Sequence, residues 1–445
     1  MSTRFTALTI EQGDAFLLED NGRNYLFDSG FDKKIIDLLK YKGIDKLDLA
    51  ICSHNDADHA NGFIKLLQPD SGIKIDEIWL PGLWASILQF VRDNCNEPKE
   101  IHCSEEDFMG ELGPLYSGEF VSLELFNKTL SFFVEWKDSN NMYQFHDDLL
   151  PKQDGKDSCV VQFLDNYLVH NLIHTLTEDF NYDNLEDFLN DSLEELYENH
   201  RWIINRKEIR RICGIINLGR VLNKPLPVSE LKKISHIACY HYEDDNYASF
   251  LDIKLERIME IASLAYQRGC KIRFFEPTTN GNNKSFPIDY GFVAFNSKEI
   301  SRVKKLENSL MYLYALNLTK ENKYSMVFEY VKNGIPLIRF SADSKSICQS
   351  VSPYPENIIV TAPHHGSKAN ANVYASIQGD DIIWVRSDSK YTGNRKRPCD
   401  TFKSMKNKYC LACDRYNFIS EVCFEYNPTL KLWSYVHGER CRCKP

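Results

Sequence analysis

No stretch of the chain approaches about 18 uninterrupted apolar residues, so nothing in it reads as a membrane-spanning helix. The opening MSTRFTALTIEQGDAF lacks the charged start, continuous apolar core and small-residue cleavage site of a secretory leader. No repeat of fixed period and no low-complexity tract is present. An excess of positive charge is also missing: 53 Lys and Arg stand against 63 Asp and Glu, a formal net charge of −10. That balance argues against a generally basic nucleic-acid coat, although a local basic groove remains compatible with it, because phosphate affinity depends on where charges sit. The 14 cysteines are scattered through the chain and read as reduced thiols or metal ligands, not as a disulfide framework. These absences lead to the expectation of a cytoplasmic protein with no membrane association.

What is present is enough for a large core. Hydrophobic residues make up 43 % and charged residues 26 % of 445 positions, which excludes disorder, a collagen-like chain and a small stapled scaffold. Residues 5–10, 15–18 and 24–27 read as strands, with Asn21-Gly22 as a tight-turn signal between the last two. A helix fits 33–42 on the stripe of Ile35, Ile36, Leu38 and Leu39, with Gly43 as its C-cap. The apolar run 47–52 suits a buried strand and delivers the polar cluster 53–59 to its end. A helix is expected from Gly62 to Leu67 and a strand over 75–80, a layered α/β rhythm. The stretch from about 100 to 250 changes character: 184–200 is strongly helical with an acidic first half, 206–211 continues it, and Pro225 and Pro227 mark a linker. After a helix at 253–268, strand-like runs return at 271–275, 292–295, 324–328, 336–340 and 358–361.

His54-Asn-Asp56-Ala-Asp58-His59 places four potential metal ligands within six residues at a strand end. Two imidazoles and two carboxylates suit Zn²⁺ or Mn²⁺ better than Ca²⁺ or Cu⁺. One loop cannot close a metal site, so further ligands are sought elsewhere. Asp343, in Ser341-Ala-Asp343, and His364-His365-Gly366-Ser367-Lys368 each follow an apolar strand. Three strand ends presenting His and Asp converge readily at one edge of a sheet.

HNDADHANG resembles the H-x-[HD]-x-D-H-x-x-G signature of metallo-β-lactamase-fold hydrolases. Its third-position Asp and the HHGS segment resemble, more narrowly, the hydrolase domain of the DNA-uptake protein ComEC and its soluble relatives. Gln12-Gly13-Asp14, Leu26-Phe27-Asp28-Ser29-Gly30 and Asn322 to Val327 are supporting matches. The resemblance covers about 1–90 and 255–400 and implies a four-layer αββα fold with halves at 1–99 and 251–400. The stretch 100–250 reads as a mostly helical insertion without a counterpart in the family, and 401–445 as a Cys-rich tail. The resemblance also implies two divalent ions: His54 and Asp56 on one, Asp58 and His59 on the other, Asp343 bridging, and His364 or His365 completing the set. Asp28 would orient a ligand. The activity implied is that of a phosphodiesterase or nuclease acting on DNA, RNA or a small nucleotide through a metal-activated hydroxide, with Asp58 or Asp343 assisting proton transfer. Soluble relatives of this type occur in bacterial antiviral defence. Lys368, after the HHGS turn, reads equally as a partner of a phosphate oxygen or as an exposed solubilising lysine. Departures are Arg397 where relatives show His before Pro398, Ser-Ala-Asp343 in place of Gly-Asp, and no evident third-motif histidine among His102, His146, His170, His174, His236 and His241.

Two lesser features complete the reading. Cys410 and Cys413 with Cys441 and Cys443 could form a structural zinc site; Cys423 and His437 lie nearby in sequence. Arg395 and Arg397, followed by Lys403, Lys406 and Lys408, could track a nucleic-acid backbone, or form a solvated helix face. Alternatives to the nuclease reading are an ester, lactone or thioester hydrolase of the same fold, and an inactive scaffold or sensor. A partner protein is expected through the 100–250 insertion.

Overall fold

The computed structural model describes residues 3–10, 12–94, 116–138, 246–278, 289–306, 325–344, 354–367, 370–377, 379, 381–387, 399–411, 421–437, 441 and 443. The expected helices at 184–200 and 206–211, the prolines 225 and 227, and the six insertion histidines lie outside these residues.

The chain opens with β1 (Thr3–Ala7), β2 (Phe16–Asp20) and β3 (Arg23–Phe27), then α1 (Lys34–Tyr41). Next come β4 (Lys46–Leu47), β5 (Leu49–Ile51), α2 (Ala57–Leu67), β6 (Lys74–Ile75), β7 (Glu77–Pro81) and α3 (Gly82–Asn94). β8 (Tyr116–Ser122) runs into α4 (Leu123–Asp138), and α5 (Asn246–Gln267) leads to β9 (Lys271–Pro277). β10 (Phe292–Ala294), β11 (Ser297–Glu299), β12 (Arg302–Leu306), β13 (Phe328–Lys332), β14 (Ile335–Phe340) and β15 (Ile359–Thr361) follow. The last elements are α6 (Ala371–Ser376), β16 (Ile383–Arg386), α7 (Asp400–Ser404), β17 (Asn407–Cys410), β18 (Val422–Asn427) and β19 (Leu432–His437).

Nine strands form one sheet in the order β11-β9-β7-β5-β3-β2-β1-β18-β19, and six form a second, β10-β13-β14-β15-β16-β17. β3, β5, β7 and β9 are parallel, as are β14 to β17. Among them β5 and β15 are buried at every residue, as strands covered on both faces are, which explains why they show no alternation. The β2–β3 hairpin turns on Asn21 and Gly22, both at positive φ (52° and 78°), the backbone a two-residue primed turn requires.

Three clusters of buried side chains hold these elements. One joins the two sheets, with Phe5, Phe16, Phe27 and Trp79 from the larger meeting Phe328, Ile338, Phe340 and Val385 from the smaller. Phe27 stacks on Phe340 with ring centroids 4.7 Å apart. A second cluster sets α1 to α5 on the other side chains of the large sheet, and a third joins α6 and α7 to β15 and β16. The chain is thus a mixed α/β protein with several sheets and helices. Residues 116–138, inside the expected insertion, contribute Val121, Phe126, Leu130 and Phe133 to the second cluster, and β8 pairs with β12.

Two boundaries differ from expectation. α2 begins at Ala57, five residues before the expected Gly62, so Asp58 and His59 sit in its first turn. The strand expected over 324–328 begins at Phe328, because Ser325 to Val327 form a connection whose Met326 N–H is taken by the Ser53 carbonyl (3.0 Å).

Candidate metal centre

The site lies where parallel strands of both sheets end, the usual place for ligand-binding loops in α/β sheets. Asp28 follows β3, His54 follows β5, Asp343 follows β14, and His364 and His365 follow β15. Asp14 comes from the loop before β2. Two glycines allow the close approach. A Cβ on Gly13 (φ 94°) would stand 1.6 Å from the Asp58 carbonyl oxygen, and one on Gly62 would stand 2.2 Å from that of Ser29. Asp56 is the N-cap of α2 but makes no side-chain cap bond, so its carboxylate points elsewhere.

Hydrogen bonds fix the imidazole tautomers. Ser53 donates its backbone N–H and its hydroxyl to Asp28 (2.8 Å each), and Ser53 Oγ also lies 2.8 Å from His54 Nδ1. A hydroxyl has one proton, already given to Asp28, so His54 Nδ1 must donate and its Nε2 carries the lone pair. His59 Nδ1 donates to Asp28 Oδ2 at 2.8 Å, and His365 Nδ1 donates to Asp14 Oδ1 at 3.0 Å. Carboxylates behind imidazoles in this way orient metal-ligating histidines. Ser387 donates to the same Asp14 oxygen at 2.6 Å, and Arg386 Nε holds the His365 carbonyl at 2.5 Å. His364 and His365 both have positive φ (47° and 50°), a strained backbone of the kind that clusters at functional loops.

Two groups of convergent donors result. Asp14, His59, Asp343 and His365 form one; His54, Asp56 and Asp343 form the other. Asp343 belongs to both: Oδ1 lies 3.3 Å from His59 Nε2, and Oδ2 lies 3.7 Å from His54 Nε2. His54 Nε2 is also 3.5 Å from Asp56 Oδ2. The His59 and His365 Nε2 atoms, both bare on this reading, face each other at 3.2 Å. Two lone pairs held that close repel unless a cation or proton lies between them. His54 Nε2, Asp343 Oδ1 and Asp14 Oδ2 are buried without a hydrogen-bond partner, which is costly for polar atoms in a protein interior and is relieved by an ion. The residues present fit divalent cations.

The remaining candidates fall around these groups. Asp58 Oδ2 reaches His365 Nε2 at 3.4 Å from the more open side, outside the tight four-residue group. His364 Nε2 lies 3.4 Å from Asp343 Oδ2, so the two neighbouring histidines approach opposite oxygens of one carboxylate. Lys368, Arg395 and Arg397 lie outside the described residues, as does Cys413. Among the described residues no group of metal-ligand atoms includes Cys410, Cys441 or Cys443; the Cys410 thiol accepts from Arg386 at 3.3 Å. Lys403 and Lys406 pair with Asp400 and Asp381, and Lys408 donates to the Met405 carbonyl. Sequence reasoning passed over Asp14 as a donor, although it stands in a motif already noted. It also passed over Lys254 and Arg257, which carried no local signal at all.

Protons and metal compete here. Burial by itself would lower the His59 and His365 pKa values. Asp343 and Asp28 around His59, and Asp14 and Asp343 around His365, instead raise both well above the ordinary imidazole value. Burial would likewise raise the carboxylic acids, but their cationic neighbours prevail. Asp56 and Asp343 are held well below the usual range, Asp14 is lowered, and Asp58 is lowered to about 2. In metal-free protein the imidazoles add stability that is complete below their unfolded value of about 6.5 and is lost as pH rises through the higher folded values. The carboxylates add stability present above their unfolded value of about 3.9 and lost as pH falls through the lower folded values. Denaturant melts in chelator are therefore expected to show greatest stability at roughly pH 4–6.5. Metal binding should release protons, read by calorimetry in buffers of different ionisation enthalpy. A metal-free protein that gains stability from neutral to alkaline pH would contradict this account.

The family model for the metallo-beta-lactamase superfamily matches residues 8–70, the segment that contains Asp14, Asp28, His54, Asp56, Asp58 and His59. No curated protein matches the chain. Proteins of that superfamily are generally metal-dependent hydrolases, and the mixed His and Asp groups described above suit divalent ions.

Proposed function

We propose that the chain is a metal-dependent phosphodiesterase or nuclease, acting on DNA, RNA or a small nucleotide, with a four-layer αββα core of the ComEC-like kind and a role in bacterial antiviral defence. The observation that carries this reading is the carboxylate of Asp343, shared by two donor groups in a chain whose residues 8–70 match the metallo-beta-lactamase superfamily. Two divalent ions held there, Zn²⁺ or Mn²⁺, would supply charge stabilisation for a phosphodiester under attack and acidify water. Supporting the four-layer reading, one buried cluster joins the two sheets while two others carry helices against them.

The chain's own residues have defined tasks in this proposal. Asp28 and Asp14 hold the ring orientations of His59 and His365, and Ser53 that of His54, so that three Nε2 lone pairs converge without reorganisation. Asp58, on the more open side, is assigned to proton transfer with water approaching from that side. Lys368, Arg395 and Arg397 follow the ligand-bearing segments in sequence and are assigned to substrate phosphates.

The test is a substrate panel with the full chain loaded with Mn²⁺ or Zn²⁺: labelled single- and double-stranded DNA, RNA, cyclic nucleotides, and carboxylic esters, lactones and thioesters. Cleavage of a phosphodiester that is lost in Asp58→Ala combined with Asp343→Ala supports the proposal. Turnover of carboxylic esters alone, or phosphodiester cleavage that survives both substitutions, overturns it.

A further inference from the structure

Helix α5 brings two cations onto the loop that carries the ligands, and they engage it differently. Arg257 donates to the Asn55 carbonyl and, at 2.6 Å, to Asn61 Oδ1, while Asn55 donates back to the Lys254 carbonyl at 3.0 Å. These bonds clamp helix to loop. The Lys254 ammonium is instead directed at a candidate ligand: it is buried, at 4 % exposure, and lies 3.4 Å from Asp56 Oδ1. Its placement is lopsided. The ammonium borders the group of His54, Asp56 and Asp343, whereas the group of His59, His365 and Asp343 has Asp14 and Asp58 beside it.

We propose that Lys254 makes the two groups unequal, its ammonium weakening cation binding by His54, Asp56 and Asp343 so that the His59 and His365 side loads first. The proposal rests on the metal-centre reading above and adds an order to it. The reason is electrostatic. A fixed positive charge in a buried pocket is poorly screened by water or salt, and it repels a divalent ion arriving at the same carboxylate. It also occupies Asp56 Oδ1, so a cation entering there has Oδ2 to itself and must share the charge. The other group gains negative charge from Asp14 and Asp58, and the buried cation on that side, Arg386, engages the His365 carbonyl and the Cys410 thiol in the contacts described, not a ligand carboxylate.

The experiment is a calorimetric titration of the metal-free full chain with Mn²⁺, with elemental analysis of the dialysed protein. Wild type is expected to bind in two steps, the second weaker. Lys254→Met should leave the first step in place and strengthen the second by roughly tenfold or more, because a like charge beside the carboxylate is removed. Lys254→Arg should keep the wild-type pattern. His54→Ala, which leaves α5 untouched, should remove the second step alone. Two equal steps in wild type, an unchanged or weaker second step in Lys254→Met, or loss of the first step in His54→Ala overturns the proposal. A failure of the metal-centre reading itself has a different signature: no form binds Mn²⁺ at all, and both then fall.

Discussion

Asp343→Asn is expected to remove bound metal and hydrolysis together. The side chain is buried at 2 % exposure, and its two oxygens face opposite ways, Oδ1 towards His59 and Oδ2 towards His54 and His364. An amide removes the charge common to both donor groups and turns one acceptor into a donor. Losing an outer partner of a ligand typically costs 10- to 100-fold in metal affinity, so a shared ligand should cost about a hundredfold or more. The result can be read without any substrate. Metal at about 1,000 times its dissociation constant stabilises a folded protein by about 4 kcal/mol, so the melting temperature of the wild type should climb as Mn²⁺ is added. That of Asp343→Asn should climb far less, because a site weakened a hundredfold gains no more than about 1.4 kcal/mol at the same Mn²⁺ concentration. A variant that binds Mn²⁺ and melts like the wild type would refute the shared-carboxylate geometry.

Asp28→Ala should damage stability and metal affinity at once, although Asp28 lies behind the ligands and not among them. Its carboxylate is fully buried and accepts from Ser53 N–H, Ser53 Oγ–H and His59 Nδ1–H, each at 2.8 Å. Alanine leaves buried donors without acceptors, and breaking a buried charged network of this kind costs about 3–5 kcal/mol. There is a chemical consequence as well. Once released from Asp28, the Ser53 hydroxyl can donate to His54 Nδ1, which moves that ring's proton to Nε2 and blocks the atom aimed at the metal. Metal affinity should fall roughly 10- to 100-fold in addition to the loss of stability. Denaturant melts in chelator isolate the first effect, and Mn²⁺ titration of the folded fraction isolates the second. A loss under about 1 kcal/mol, the net worth of one ordinary hydrogen bond, would mean that Asp28 is not organising the site.

Much of the scaffold could be read from local pattern. The apolar runs at 47–52 and 358–361 became β5 and β15, because strands covered on both faces need no alternation. Asn21-Gly22 announced a hairpin, and Gly43, at φ 71°, ends α1 as a left-handed cap. The start of α2 was obscured for a physical reason. Its first turn carries Asp58 and His59 towards the site, so polar residues stand on a buried helix face and break the apolar periodicity that marks a helix. The sequence boundary at residue 100 likewise concealed β8 and α4, whose partners β12 and α5 follow more than a hundred residues later.

By itself the sequence determined which ligand types this protein offers and that they stand at strand ends, since HNDADH and HHGS each concentrate donors within one turn of chain. Only the tertiary structure decided which donors face one another. His59 meets His365 across 306 residues, Asp14 meets His365 across 351, and Lys254 reaches Asp56 across 198. Pairings of that separation leave no trace in periodicity or spacing. They follow from two mixed sheets joined through one aromatic core, which brings the ends of their parallel strands to a common edge.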